Sequence, residues 1–293
     1  SGDADPAMRH RYFNRKDFHD HFPLLTDEAL TSGFTYADAQ TDDARFVLEL
    51  ISGAAQSDAI CVNYCKLTNI LEDNGRAYGA TVQDQRTLST QEIQAKQIVY
   101  TTGQWLANDE WGHDWCRLTK GIHLVMPCVL KDEALLLTAK SDGRVFFMIP
   151  WYGHTLLGTT DTEYNQSLGQ VAVDVADVSY LLTAANDYLK TPWTEKDIIS
   201  SFAGIRVLKQ NTQSTATDKP SSISRDWELK TVSNGVHYAI GGKLTSSRSD
   251  ASNIVNTVCE KLNIHASCTT QHEPFPWAPQ ESYAEWSALM QID

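Results

Sequence analysis

Ile122-His123-Leu124-Val125-Met126, Ala134-Leu135-Leu136-Leu137, Val145-Phe146-Phe147-Met148-Ile149 and Thr155-Leu156-Leu157-Gly158 are short apolar or alternating runs separated by turn-forming residues. Strands of this length, spaced closely enough to fold back on one another, predict an antiparallel sheet. The domain built on it is expected to span residues 118–234. Within it, 173–189 has helical periodicity, 198–208 reads as a buried strand, and 211–222 is a polar loop. The chain then returns through strands at 227–231 and 237–240, breaks at Gly241-Gly242, and enters a helix over 245–262.

Upstream of the sheet, Thr41 is placed to cap a helix whose first turn holds Asp42 and Asp43. Ala44, Val47, Leu48, Ile51 and Ala55 follow at helical spacing. Short strands are expected at 59–64 and 67–71, a hairpin turn at Asn74-Gly75, and further strands at 77–82 and 96–100, the last closed by Thr101-Thr102-Gly103. Residues 34–117 and 235–270 group as a second domain. Residues 1–33, polar and holding His10, His19 and His21, read as a loosely ordered arm, and 271–293 as a tail.

Acidic side chains number 37 against 24 basic ones, a formal charge of −13 that repels phosphate backbones and gives no general attraction to nucleic acid. The cysteines contain no C-x-x-C pair to nominate a zinc or redox site, and reduced thiols in a cytoplasmic setting are expected. The first residues lack the apolar core of a signal peptide, and no run reaches ~18 apolar residues, so membrane contact is expected to be peripheral. Asn165-Gln166-Ser167 matches a glycosylation sequon, a pattern too short to weigh here.

Charged residues in unusual settings carry the chemistry. Arg206 lies in Phe202-Ala203-Gly204-Ile205-Arg206-Val207-Leu208, an apolar run where an unpaired guanidinium would cost several kcal/mol. Its partner is either a carboxylate of the chain or a substrate anion. His123, on an apolar strand, is either a core residue or a proton acceptor. Arg225, before Asp226, is either solvated or set to grip a phosphate. Gly241-Gly242-Lys243-Leu244-Thr245 puts glycines between a strand and a helix, where backbone N–H groups can face a ligand or simply end the strand. It is no P-loop, because His237 occupies the place of that motif's first glycine and Leu244 that of its hydroxyl residue.

Taken in order, Thr41-Asp42-Asp43-Ala44-Arg45, Thr102-Gly103-Gln104-Trp105, Lys120-Gly121-Ile122-His123 and Ile149-Pro150-Trp151 resemble FAD-dependent glycerol-3-phosphate dehydrogenase. So do Gly158-Thr159-Thr160-Asp161, Gly204-Ile205-Arg206, Ser224-Arg225-Asp226-Trp227 and Gly241-Gly242-Lys243-Leu244-Thr245. The resemblance implies a mixed α/β and α+β fold, in which a partial FAD-binding domain is interleaved with the antiparallel-sheet substrate-binding domain. It implies oxidation of sn-glycerol 3-phosphate to dihydroxyacetone phosphate, with hydride transfer to FAD and onward transfer to quinone or oxygen. His123 then matches the proton acceptor, Arg206 the arginine beside the oxidised carbon, and Arg225 and Lys243 basic groups around the substrate. Leu67, Thr102, Gly103, Trp105, Gly242, Lys243, Leu244 and Thr245 match cofactor-lining positions. A cytoplasmic enzyme is implied, with peripheral attachment to the inner membrane and a homodimer left open.

The sequence departs from the family at Gln104 and Val207, where proline is usual, and at Ser246-Ser247, where Thr-Tyr is usual. It also holds no G-x-G-x-x-G triplet, the turn that anchors a dinucleotide pyrophosphate. It therefore reads as the central part of such an enzyme, inactive by itself. A non-catalytic glycerol-phosphate-binding module, a glycerophosphate oxidase and an amino-acid oxidase are the competing readings. The Arg206, Arg225 and Lys243 charges exceed what one amino-acid carboxylate needs.

Overall fold

The structure, a computed structural model, describes residues 9–26, 28, 30–210, 226–281, 285, 286 and 288. Its N-terminal elements are β1 (Arg11–Asn14), α1 (Arg15–His21), β2 (Ser32–Thr35) and α2 (Asp43–Gln56), followed by β3 (Cys65–Asp73), β4 (Arg76–Asp84), β5 (Thr90–Gln94) and β6 (Val99–Tyr100). The central elements are β7 (Cys116–Met126), β8 (Leu135–Thr138), β9 (Val145–Trp151), β10 (His154–Gly158), β11 (Thr162–Glu163), α3 (Val175–Asn186) and β12 (Ser200–Lys209). β13 (Glu228–Thr231), β14 (His237–Ile240) and α4 (Ser247–Leu262) complete it. No helix among the described residues is long and apolar enough to cross a membrane.

The chain divides into two units, one of residues 1–37, 101–230 and 238–243, the other of 38–100, 231–237 and 244–293. The first is built on the antiparallel sheet that the apolar runs predict. Its strand order is β11-β7-β10-β9-β8, with β12 paired along β7. One face is a closed apolar layer in which Ile122, Leu124, Met126, Phe146, Met148 and Leu157 pack with Leu181, Leu182 and Ala185 of α3. Alternation along each strand sends the intervening side chains to the opposite face.

α3 is docked by charge as well as by burial. Asp174 caps it and forms a reciprocal capping box with Asp177. Lys120 of β7, 8 % exposed at its side chain, reaches Asp174 at 2.7 Å and Asp177 at 2.6 Å. Burial alone would lower the Lys120 pKa, but the two carboxylates outweigh it and raise it. Lys120→Met should strand the 3 %-exposed Asp177 and cost about 3–5 kcal/mol. Urea unfolding of the two chains measures this, and equal midpoints would mean that the pair contributes nothing net.

The described residues of the expected loose arm, 1–33, are not loose. β1 and β2 pair antiparallel, Asn14 caps α1, and Phe22 and Leu25 are buried in the sheet's core. Their backbone is tied in as well, with Thr26 N–H donating to Tyr188 and Lys190 N–H to Leu24. Apolar side chains scattered among charges fall below any periodic signal, yet a few of them suffice to dock a short segment.

In the second unit, β3, β4 and β5 form an antiparallel meander. Its first turn is the expected Asn74-Gly75, with φ values of +50° and +72°, the left-handed pair that a two-residue hairpin requires. Residues 59–64 lie outside any strand, with Ile60 92 % and Val62 65 % exposed. Only Val99–Tyr100 of the expected 96–100 strand pairs, and the polar β5 was not foreseen. α2 is capped by Asp42 instead of Thr41. Its apolar stripe of Val47, Leu48 and Ile51 is exposed, while Phe46 packs on Phe275 and Gly53 on Pro276. The strand expected at 198–208 is β12, Ser200–Lys209, but it is largely half-buried or exposed, with only Leu208 buried. α4 starts at Ser247 after a tight turn at Leu244–Ser246. The loop expected at 211–222 lies outside the described residues.

Candidate active site on the sheet face

The face of the central sheet opposite α3 gathers the chemistry. On β7 it carries Thr119, Gly121 and His123; on β12 the register places Phe202 opposite His123, Gly204 opposite Gly121 and Arg206 opposite Thr119. β10 puts Gly158 on the other side of His123. His123 and Arg206, each nominated separately by its setting in an apolar run, therefore belong to one surface.

Each of the two sits on a glycine. A Cβ at Gly158 would overlap His123 Cδ2, and one at Gly121 would overlap the Arg206 guanidinium. The flat groups lie against bare backbone that any other residue would cover. Both glycines were visible in the sequence; their purpose was not, because it depends on cross-strand register. Gly158→Ala should force the imidazole or the strand to move, at about 1–3 kcal/mol, with displaced His123 ring resonances. Gly169→Ala, where the nearest atom is Ser167 Oγ at 3.9 Å, is the control and should stay within about 0.5 kcal/mol. Equal stability and unchanged ring signals in Gly158→Ala would show that the close seat is not used.

The turn after β10 holds Arg206. Its guanidinium donates to the Thr160 carbonyl at 3.1 Å, to Thr159 Oγ1 at 2.8 Å and to Asp161 Oδ1 at 3.4 Å. The side chains of Arg206 and Asp161 are 26 % and 12 % exposed. The question left by the sequence thus has a first answer: a carboxylate of the chain partners the arginine. The arginine side chain keeps some solvent access. Asp161 is itself fixed, because Arg144 donates to its backbone carbonyl at 2.6 Å.

His123 is half-buried and stacks on Phe202, with ring centroids 5.1 Å apart and planes 16° apart. Burial, aided by the nearby Arg206 charge, pushes its pKa down to about 4. The ring is therefore neutral near pH 7 and able to accept a proton.

The other nominated residues are more exposed. Gly103 has φ +56°, a Cβ there would meet nothing within 4 Å, and Thr102 precedes the short 3-10 helix Gly103–Asn108 that carries Trp105, 48 % exposed. Gly242 has φ +101° and Lys243 is exposed. In the second unit Leu67 is half-buried opposite Val82, and Leu244 and Thr245 are exposed. Arg225 lies outside the described residues. Among the described residues no group of His, Cys, Asp and Glu is placed to hold a metal ion.

Residues 2–248 match the family model described as FAD dependent oxidoreductase. The chain belongs to this family. Among its relatives, the aerobic glycerol-3-phosphate dehydrogenase of Bacillus subtilis is 34 % identical over 264 residues, covering 86 % of this chain and 47 % of that protein. Glycerol-3-phosphate dehydrogenase 2 of Mycobacterium tuberculosis is 30 % identical over 262 residues, covering 87 % and 43 %. The crystal structure of glycerol-3-phosphate dehydrogenase from Bacillus halodurans, complexed with FAD, superimposes with a TM-score of 0.79 at 32 % identity, over 88 % of this chain and 51 % of that one. The resemblance read from the ordered motifs is thus matched by relatives of that name. The chain spans about half the length of the relatives it matches.

Two turns of the chain have features that suit parts of FAD, the cofactor in the description of the family. The open cradle at Gly103 and the positive-φ turn at Gly242 free backbone N–H groups for a polar ligand edge. Trp105 offers exposed apolar surface for a ring. The pyrophosphate anchor of the family, a G-x-G-x-x-G turn, is not among these residues.

Proposed function

We propose that this chain forms the substrate-binding part of a flavin-dependent sn-glycerol-3-phosphate dehydrogenase. The observation that carries the reading is the placement of a neutral, stacked His123 and a partly exposed Arg206 on one sheet face, each lying on a glycine. Arg206 binds and polarises the C2 oxygen of glycerol 3-phosphate, lowering the cost of removing its proton. His123 accepts that proton. Lys243 and Arg225 add charge for the phosphate. Thr102, Gly103, Trp105 and Gly242 of the first unit would hold part of FAD, whose chemistry when bound is acceptance of the C2 hydride. Electrons then pass to quinone or oxygen, in a cytoplasmic or peripherally membrane-attached enzyme.

Anaerobic mixing of a flavin-loaded preparation with sn-glycerol 3-phosphate, glycine or proline tests the substrate class. Bleaching by the phosphate ester alone is expected, and bleaching by an amino acid instead would sink the reading. The 293-residue chain purified by itself should be colourless, because the pyrophosphate anchor is not among its residues. A visible spectrum checks this, and stoichiometric flavin bands would show that the two glycine turns suffice.

A further inference from the structure

A histidine that takes a proton in an active site is usually aimed by a carboxylate or carbonyl bound to its second nitrogen. His123 has no such partner: neither ring nitrogen is hydrogen-bonded to any described residue. Its orientation is nevertheless closely confined. Below the ring is the bare backbone of Gly158, and against its face lies Phe202, 5.1 Å away and within 16° of parallel.

Phe202 is an odd residue for its place. It is 49 % exposed, on the face that holds the charged groups, while its strand neighbour Ala203 packs on the apolar core. An aromatic ring left half in water contributes less burial than one in the core, so the stack gives it a purpose that burial does not. We propose that Phe202 is the positioning residue of His123, fixing the imidazole plane over Gly158 and excluding water from one of its faces. Both ring nitrogens stay available to a ligand, which a carboxylate partner would prevent. The inference rests on the reading of His123 as the proton acceptor.

Among the described residues, these charged groups bear on His123. Arg206, on the same strand as Phe202, disfavours the imidazolium, and Asp161, in the turn after β10, pairs with that arginine. Lys120 on β7 is turned to the other face, held by Asp174 and Asp177. None of these changes when Phe202 is replaced, so a change in His123 reports the stack.

The test follows the His123 ring protons by NMR as the purified chain is titrated from pH 8 to about pH 3, past the lowered midpoint. Phe202→Ala is expected to raise the midpoint by about one unit toward the free-histidine value and to remove the ring-current shift. Phe202→Tyr, which keeps the flat face, should restore both. If Phe202→Ala fails to fold, Phe202→Leu is read by the same criteria. A midpoint within about 0.3 units of the parent chain, with unmoved ring shifts, overturns the proposal. The reading of His123 as proton acceptor fails separately, if His123→Asn leaves flavin reduction intact, and that result does not touch the titration.

Discussion

Arg206→Ala is expected to lower kcat/KM for sn-glycerol 3-phosphate by at least ~10²-fold in a flavin-loaded enzyme, because a fixed charge at the reacting oxygen acts mainly on the transition state. The same change should also cost stability. Asp161, 12 % exposed, loses its ion pair, and the Thr160 carbonyl loses a 3.1 Å hydrogen bond. With Arg206 itself 26 % exposed, water can enter, and the loss should fall near 1–3 kcal/mol, about the cost of an unsatisfied polar group. The double change Arg206→Leu with Asp161→Asn separates the two roles. It also neutralises Asp161, so most of the stability should return while turnover stays low. Thermal melts and steady-state kinetics on these two variants decide the matter. Recovery of turnover together with stability would leave Arg206 as a fold-holding residue only.

His123→Asn is expected to slow anaerobic flavin reduction by about 10²-fold or more, the usual worth of a positioned base, with substrate affinity changed only a few-fold. The pH dependence follows from the lowered pKa. A histidine held near 4 in the fold and near 6.5 when unfolded binds fewer protons in the native state. Its contribution to stability is complete above about pH 6.5 and is lost as the pH falls toward 4. The parent chain should therefore lose more melting temperature between pH 7 and pH 4 than His123→Asn does. For catalysis, the substrate-free enzyme should keep its base unprotonated through pH 6, so kcat/KM should show no His123 limb near 6.5. A limb at that position, absent from His123→Asn, would show that burial and the arginine charge do not act on the ring. Such a weak base needs help, and the same Arg206 that depresses it also acidifies the substrate hydroxyl. Arg206→Ala should thus raise the His123 midpoint even as it slows the reaction.

Much of this molecule was legible before any coordinates. Alternating apolar runs specify antiparallel strands because one face of each must be buried, and β7, β8, β9 and β10 contain them. Asn74-Gly75 specifies its turn because few other pairs tolerate left-handed φ twice. Arg206 and His123 stood out because polar groups in apolar strands must be accounted for, and the ordered motifs tied them to one family. Those signals are local, or are strings of local signals.

What remained hidden depended on distant partners. Residues 59–64 have the composition of a strand, but no described strand forms a ladder with them, whereas polar β5 is a strand because β4 offers it an edge. The stripe of α2 predicted the helix correctly, yet contacts from Phe275 and Pro276 determine which side of it is covered. Asp161 lies 45 residues before Arg206, and no spacing rule joins them. Nor could Gly121, Gly158 and Phe202 be recognised as supports of the site from their own neighbourhoods. The sequence by itself determined which residues must find partners, because desolvation acts on each side chain where it stands. Only the tertiary structure decided which partners they found, because strand register sets which side chains share a face.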